Sequence, residues 1–395
     1  MKRLIIIFLL AISFCRLGVV NAQELQLSDQ ASISLITILP GEAPEELFGH
    51  SAVRVNDPVN NIDISYNYGT FEFDAFFLAK FTYGNLEYFL SQTTFESSVR
   101  HYRERRRPMI EQVLNLSPAQ RQQLFNFLRI NAQEENRYYQ YDFLFDNCST
   151  RIRDALEYVF GGNVQFTNDS VSNLTFRDMI SQYVEHRSFI HLGIDLLLGS
   201  DIDKLATYRE QMFLPDYLMS EFDKASIRNY GVSQPLVSTT EIILQIEDYE
   251  IETGFPWASI LTWSLLLIGI GITYRAIRDD KGIEPWFDLF LYSITALIGL
   301  LITYLWFISL HNETVNNLNL LWAWPVHLIL IPLLYRRAVP EFFVAVYLLV
   351  LTLCCIAILV GWNFWPQQFH AAIIPLLLLL IVRSASIALS SFDLL

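Results

Sequence analysis

Hydrophobic positions follow two rules along this chain, and the change falls near Phe255. From residue 23 to about 252, apolar residues are interleaved with polar and aromatic ones in short stretches, the pattern of half-buried strands and amphipathic helices. Beyond Phe255 they fuse into runs, roughly Pro256 to Tyr274, Trp286 to Ser309, Leu318 to Tyr335, Phe342 to Leu359 and Ala371 to Leu389. Each is close to the ~20 residues needed to cross a bilayer, so residues 253–395 are expected to form an all-α domain of five transmembrane helices. Pro325 and His327 interrupt the third run, and a proline there is tolerable where neighbouring helices satisfy the backbone.

In the first part, Ile33 to Leu39 predicts a strand and Pro40 to Glu46 a loop. Phe48 to Val55 predicts a second strand, with His50, Ala52 and Arg54 on one face and Ser51, Val53 and Val55 on the other. Asn56 to Asn61 is a turn by composition. Ile62 to Thr70 returns as the second arm of a hairpin, with Ile64, Tyr66 and Tyr68 on one face and Ser65 and Asn67 on the other. A turn centred near Val59 brings Asn67 and Tyr68 opposite His50, and the polar faces favour Asn67 as its neighbour. Phe71 to Phe89 reads as loop and helix. Ser117-Pro118 supplies a cap and a first-turn proline for a helix with Leu124, Phe125, Phe127 and Leu128 on its apolar face. A strand-like run, Tyr138 to Phe145, then precedes a helix-like run, Arg151 to Phe160, which Gly161-Gly162 stop. Cys148 therefore falls at a strand-to-helix junction. Residues 23–252 are expected to be one α+β domain.

Charge and targeting place the two parts. Lys2-Arg3, the apolar run Leu4 to Phe14 and small residues at Val20 and Ala22 fit a secretory signal over 1–22. If residues 23–252 are exported, the first, third and fifth helices must run inward. The loops agree: Arg275, Arg278, Lys281 and Arg336-Arg337 lie on the expected inner side, while His311 to Asn317 and Gly361 to His370 carry no Lys or Arg. Those loops hold Asn312, Asn316, Asn317, Trp362, Phe364 and Trp365, either as part of a floor under the exported domain or as an ordinary interfacial aromatic belt. The net charge of −14 argues against nucleic acid as a partner.

Of the chain's four cysteines, Cys15 lies in the signal and Cys354-Cys355 in an apolar span, leaving Cys148 alone in the exported part. An unpaired thiol in an oxidising compartment is a liability unless it reacts. At a helix start the macrodipole and unpaired N–H groups stabilise a thiolate, and the same N–H groups can hold a developing oxyanion. A histidine on a strand, an amide on its hairpin partner and a cysteine at a helix start are the parts of a thiol nucleophile with its base and orienter. His186 and His191 show no convincing metal-ligand spacing, so neither a metal nor a cofactor is expected.

Phe48-Gly49-His50-Ser51 followed by Asp146-Asn147-Cys148-Ser149-Thr150 resembles the circularly permuted papain-like hydrolases of NlpC type, to which lecithin:retinol acyltransferase belongs. The whole chain resembles the Lnb family, bacterial lipoprotein N-acyltransferases with an exported thiol domain and a multi-spanning membrane domain. The motifs behind the likeness cover Phe48 to His50, Tyr66 to Phe71 and Asp146 to Arg153. The resemblance implies a permuted papain-like (NlpC-type) fold, with Cys148 as nucleophile and His50 as base. Asn67 stands where the acyltransferase relatives place a second histidine, as in a Cys-His-Asn triad, and its neighbours Tyr66 and Tyr68 are candidate substrate contacts. The chain would lie in the bacterial inner membrane with its first domain in the periplasm.

The implied reaction moves an acyl chain from a phospholipid, through a Cys148 thioester, to the α-amino group of a diacylated lipoprotein cysteine. Arg100, Arg103, Arg105, Arg106 and Arg107 add a basic cluster in which Arg100, Arg103 and Arg107 share a helical face. Arg103 and Arg107 are the candidates for gripping anionic headgroups. Two other readings remain: a membrane-tethered peptidoglycan amidase or peptidase with the same nucleophile, and a non-catalytic membrane sensor or scaffold.

Overall fold

The computed structural model describes residues 25–166, 170–250, 254–279, 285–336 and 340–391. The expected signal, residues 1–22, lies outside them. The strands are β1 (Ser32–Ile38), β2 (His50–Asp57), β3 (Ile62–Phe71), β4 (Glu87–Thr94), β5 (Met109–Leu114), β6 (Tyr138–Gln140), β7 (Val164–Gln165), β8 (Val171–Thr175), β9 (Leu205–Thr207), β10 (Ser226–Asn229), β11 (Val232–Pro235) and β12 (Val237–Leu244). Between them run α1 (Phe77–Tyr83), α2 (Phe95–Glu104), α3 (Pro118–Asn131), α4 (Cys148–Phe160), α5 (Phe176–Val184), α6 (Ser188–Leu197), α7 (Tyr208–Gln211) and α8 (Pro215–Lys224).

A seven-stranded antiparallel sheet, ordered β12-β5-β1-β2-β3-β4-β6, organises this sheet-rich part. One face packs on α3 and α4: Ile33, Leu35, Val53, Val55, Tyr66 and Tyr68 share a core with Leu124, Phe125, Leu128, Ile152 and Leu156. On the other face Ile36, Ile38, Ala52 and Met109 pack with Phe95 of α2 and Leu244 of β12. The alternation of β2 is thus expressed as two differently covered faces. Arg54 is held on the second face by Asp63 at 2.7 Å and Glu111 at 3.0 Å, with its guanidinium 3.8 Å from the Phe95 ring centroid.

The expected hairpin forms with a different register. Val53 pairs with Tyr66 and Asp57 with Ile62, so the turn is centred between Val59 and Asn60. Continued along the strands, this register sets Gly69 level with His50, where Asn67 and Tyr68 were expected. A turn centre displaced by half a residue moves the partner of every position beyond it.

The second part is helical: α9 (Trp257–Arg278), α10 (Pro285–Phe307), α11 (His327–Tyr335), α12 (Glu341–Val360) and α13 (Ile373–Ser391). Three of these, α9, α10 and α12, are long and apolar enough to cross a membrane. The expected third span is not a continuous helix. A 3₁₀ turn at Leu318–Leu321 and non-helical backbone at Ala323 and Trp324 precede α11, which has only 9 residues. Non-helical backbone at such a place must be buried in protein. Here it is: Trp322 and Ala323 are buried, and the Ala323 carbonyl lies so close to Gly299 of α10 that a Cβ there would be 1.9 Å away. A fully buried ion pair joins α13 to α10, with Arg383 donating to Asp288 at 2.6 and 2.7 Å and to Thr273 of α9 at 2.6 Å.

The two parts are docked through the loops that lack Lys and Arg. Asn317 donates its amide to the Leu196 and Leu197 carbonyls at 2.8 and 3.0 Å, and Gln367 reaches the Leu198 carbonyl at 3.4 Å. These are last-turn carbonyls of α6 that the helix itself leaves unpaired. Gly199 N–H donates to the Glu313 carbonyl at 2.8 Å, and Asn316 donates to Asp201 at 3.0 Å. The loop amides therefore contribute to a floor, whereas Phe364 projects outward as a belt residue would.

Candidate active site

Helix α4 begins at Cys148 because Asn147 caps it. Asn147 Oδ1 accepts the N–H groups of Ser149 and Thr150 at 2.8 and 3.0 Å, and Thr150 Oγ1 accepts the Asn147 N–H at 2.8 Å, a reciprocal capping box. The Asn147 amide nitrogen donates to Phe143 and Phe213 carbonyls at 2.7 and 2.9 Å, which fixes the preceding loop. Arg151 clamps Asp146 at 2.6 and 2.7 Å and stacks on the Tyr139 ring. Buried Ser149 sits 3.0 Å, hydroxyl to hydroxyl, from Ser51 of β2 and pins the helix start to the strand. One part of the expected anion site changes, because the cap consumes the Ser149 and Thr150 amides. Among the described residues no hydrogen bond is made to the Cys148 N–H, which leaves it as the amide available to an oxyanion.

The structure brings Cys148, His50 and Asn67 together. His50 Nε2 lies 2.8 Å from Asn67 Oδ1, and that oxygen also accepts the Gly69 N–H at 2.7 Å. A backbone N–H can only meet an oxygen, so the Asn67 amide is oriented and His50 Nε2 carries the proton. The Cys148 thiol lies within electrostatic reach of the His50 ring, and Nδ1 is the ring nitrogen left free to face it. Burial alone would push the half-buried Cys148 thiol up. The His50 charge and hydrogen bond, the Ser51 N–H and the Ser149 hydroxyl outweigh it, and the thiol falls below its ordinary value. Asn67 reaches His50 diagonally, two residues back from Gly69, and Gly69 makes room: a Cβ there would stand 2.5 Å from His50 Cε1. A glycine inside a strand pattern is the sequence signal for such a close approach.

Other expected contacts fall elsewhere. Tyr66 and Tyr68 are 1% and 2% exposed and belong to the core, where Tyr68 donates to Asn131 at 2.7 Å, so they present no surface to a substrate. Helix α2 ends at Glu104 and Arg106 has φ +53°, so Arg107 leaves the helical face shared by Arg100 and Arg103. Arg107 is buried, donating to the Leu39 carbonyl at 2.8 Å beside Glu46, which makes it a structural residue. Arg103 is exposed on α2.

Glu313 is a member the sequence did not offer. It stands on a 3₁₀ turn, Asn312–Thr314, of the helical part, yet its buried carboxyl hydrogen-bonds that of Asp142, at the start of the loop leading to Cys148. Burial and the Asp142 charge push Glu313 up to about 7. Tyr141 lies within electrostatic reach of the same carboxyl. His191, Asp195 and His370 also cluster, within 4.8 Å of one another. Asp195 is already bonded to Arg177 at 2.9 Å, and His370 Nδ1 accepts the Ala372 N–H at 3.0 Å, which places the proton on Nε2. The cluster fits a hydrogen-bonded junction between α6 and the loop before α13, not a metal site. A cleft of about 1120 Å³ between Pro40–Leu47, His186–Ile190 and Trp257 is lined by neither Cys148 nor His50.

Two family models match the chain. The Lnb N-terminal periplasmic domain matches residues 22–183, and the Lnb transmembrane domain matches residues 251–393. No curated protein and no solved structure matches it. A periplasmic domain followed by a transmembrane domain makes this an inner-membrane protein with its N-terminal part in the periplasm. With both parts matched, in order, the chain belongs to the Lnb family.

Proposed function

We propose that the protein is a lipoprotein N-acyltransferase working through a thioester on Cys148, in a permuted papain-like domain seated on five membrane segments, α9 to α13. The observation that carries the reading is His50 fixed by Asn67 Oδ1 through Nε2, with the Cys148 thiol at a helix start within electrostatic reach of the same ring. Cys148 thiolate attacks a phospholipid acyl carbonyl, the ester C–O bond breaks, and His50 hands its proton to the departing lysophospholipid oxygen. The α-amino group of a diacylated lipoprotein cysteine then attacks the thioester. An amide forms, the C–S bond breaks, and His50 takes the amine proton, which restores the thiolate with its imidazolium.

The Cys148 N–H is the amide that would hold the oxyanion in both steps. Transfer must outrun hydrolysis, and a membrane domain docked, through Glu313, against the loop that leads to Cys148 would help to exclude water. Arg103 is the arginine left to meet an anionic headgroup.

Incubating the purified protein with phospholipid vesicles and then measuring its intact mass tests the reading. An acyl adduct is expected on Cys148, absent in Cys148→Ala and released by neutral hydroxylamine. An adduct that resists hydroxylamine, or that forms without Cys148, overturns it. An amidase or a scaffold would give no adduct from phospholipid.

A further inference from the structure

The segment from Phe71 to Gly84 exposes more apolar surface than the domain around it explains. No residue of α1 is buried, and Phe73, Phe76 and Leu78 are 81%, 70% and 72% exposed. A helix of 7 residues does not hold itself together in water. Its Lys80–Asp74 pair is exposed and adds little. A contiguous exposed apolar patch of this kind marks an interaction surface.

Two observations identify what meets it. The first is position. The Leu310 N–H donates to the Tyr83 carbonyl at 2.7 Å and His311 Nε2 to the Phe81 carbonyl at 2.8 Å, so α1 is fastened just beyond the end of the membrane-crossing helix α10. Gly84, at φ +84°, permits the contact, since a Cβ there would meet Leu310 and His311 backbone atoms at 3.1 Å. Phe307 and Leu310 at that end are themselves exposed, so the patch continues the surface that α10 turns to lipid. The second is a run of rings leading inward: Phe73 to Phe77 at 4.3 Å, Phe77 to Phe71 at 5.2 Å, Phe71 to Tyr88 at 5.0 Å and Tyr88 to Tyr141 at 4.2 Å. Tyr88 and Tyr141 both lie within electrostatic reach of Cys148.

We propose that Phe73, Phe76 and Leu78 insert into the periplasmic leaflet of the bilayer, and that Phe77, Phe71, Tyr88 and Tyr141 guide a phospholipid acyl chain from that leaflet to Cys148. The insertion stands on position alone, while the guide rests on the acyl-transfer reading. An acyl chain leaving the leaflet would exchange lipid neighbours for aromatic ones without crossing open water.

The experiment uses the full chain in phospholipid vesicles and has three arms. In the first, the fluorescence that Phe76→Trp adds over the unsubstituted protein is expected to be quenched by lipids brominated near the headgroup end of the acyl chain. An added signal untouched by such lipids overturns insertion, whether water or a second copy of the chain covers the patch. In the second, Phe76→Asp with Leu78→Asp is expected to lower Cys148 acylation from vesicles at least tenfold while alkylation of Cys148 by iodoacetamide stays unchanged. Equal loss of both reactions would mean a damaged site and would count against the proposal. In the third, Phe71→Ala with Phe77→Ala is expected to slow acylation from long-chain phospholipid several-fold and to spare a dihexanoyl donor. Equal effects on both donors overturn the guide. If the unsubstituted protein takes no acyl chain, the acyl-transfer reading and the guide fall together, and the quenching arm still decides insertion.

Discussion

Asn67 Oδ1 receives both His50 Nε2–H and the Gly69 N–H, at 2.8 and 2.7 Å, so the hairpin itself sets the protonation pattern of the imidazole. Removing His50 removes the proton carrier, and His50→Ala should lower acyl transfer by about 10²- to 10⁴-fold. Asn67→Ala loosens the ring without removing it and should cost less. Gly69→Ala should cost more than Asn67→Ala, because its Cβ would displace the His50 ring. Rates of Cys148 adduct formation in the three variants check the order, and a silent Gly69→Ala would contradict the close approach.

Cys148 is held below the ordinary thiol value against the opposing effect of burial, so a larger share of it should be thiolate, and reactive, below pH ~8.5 than of a free thiol. As pH falls through the depressed value the thiolate protonates and reactivity is lost. His50→Ala should move the whole iodoacetamide rate profile to higher pH. Identical profiles with and without His50 would show that the histidine does not activate the thiol.

Glu313 carries the opposite sign. Its carboxyl is raised to about 7, so the stabilisation from its shared proton with Asp142 is complete below the ordinary carboxylic range and is lost as pH rises through about 7. Thermal unfolding in detergent should show a midpoint that falls as pH rises from the ordinary carboxyl range to about 7 and levels off above it. Glu313→Gln, which keeps the neutral form, should flatten that dependence, while Glu313→Ala should destabilise by about 1–3 kcal/mol through loss of a buried hydrogen bond.

Arg103 and Arg107, which helical spacing pairs, should behave differently when replaced. Arg107→Ala empties a buried donor site beside Glu46 and should destabilise the periplasmic part by about 1–3 kcal/mol. Arg103→Ala should leave unfolding unchanged and raise the apparent KM for anionic phospholipid several-fold at low ionic strength, the defect shrinking as salt screens the unsubstituted protein. An unfolding shift in Arg103→Ala, or none in Arg107→Ala, would reverse the assignment.

These residues show what a sequence reveals and what it withholds. The strand at His50, its hairpin partner and the helix opening at Cys148 were legible because each rests on a short-range rule, alternation or capping. The pairing register depended on where the turn is centred, which Asn56 to Asn61 does not specify. Arg107 was misplaced because the helical spacing was carried past Glu104, where the backbone reverses at Arg106. Apolarity alone predicts one helix for the third membrane run, although its buried irregular backbone is supported by Gly299 on another helix. Glu313 left no local trace, because its partner Asp142 lies in a different part of the chain.

Helix α6, whose closing carbonyls are bonded by Asn317 and Gln367, falls outside both matched stretches, after 183 and before 251. Strand β12, which completes the main sheet, falls in the same interval. The periplasmic and transmembrane parts are therefore not interchangeable modules. A chimera joining one member's first stretch directly to another's second would lack the helix that the loops grip and leave β5 as an open sheet edge, and an interval taken from either parent alone would meet a foreign partner on one side.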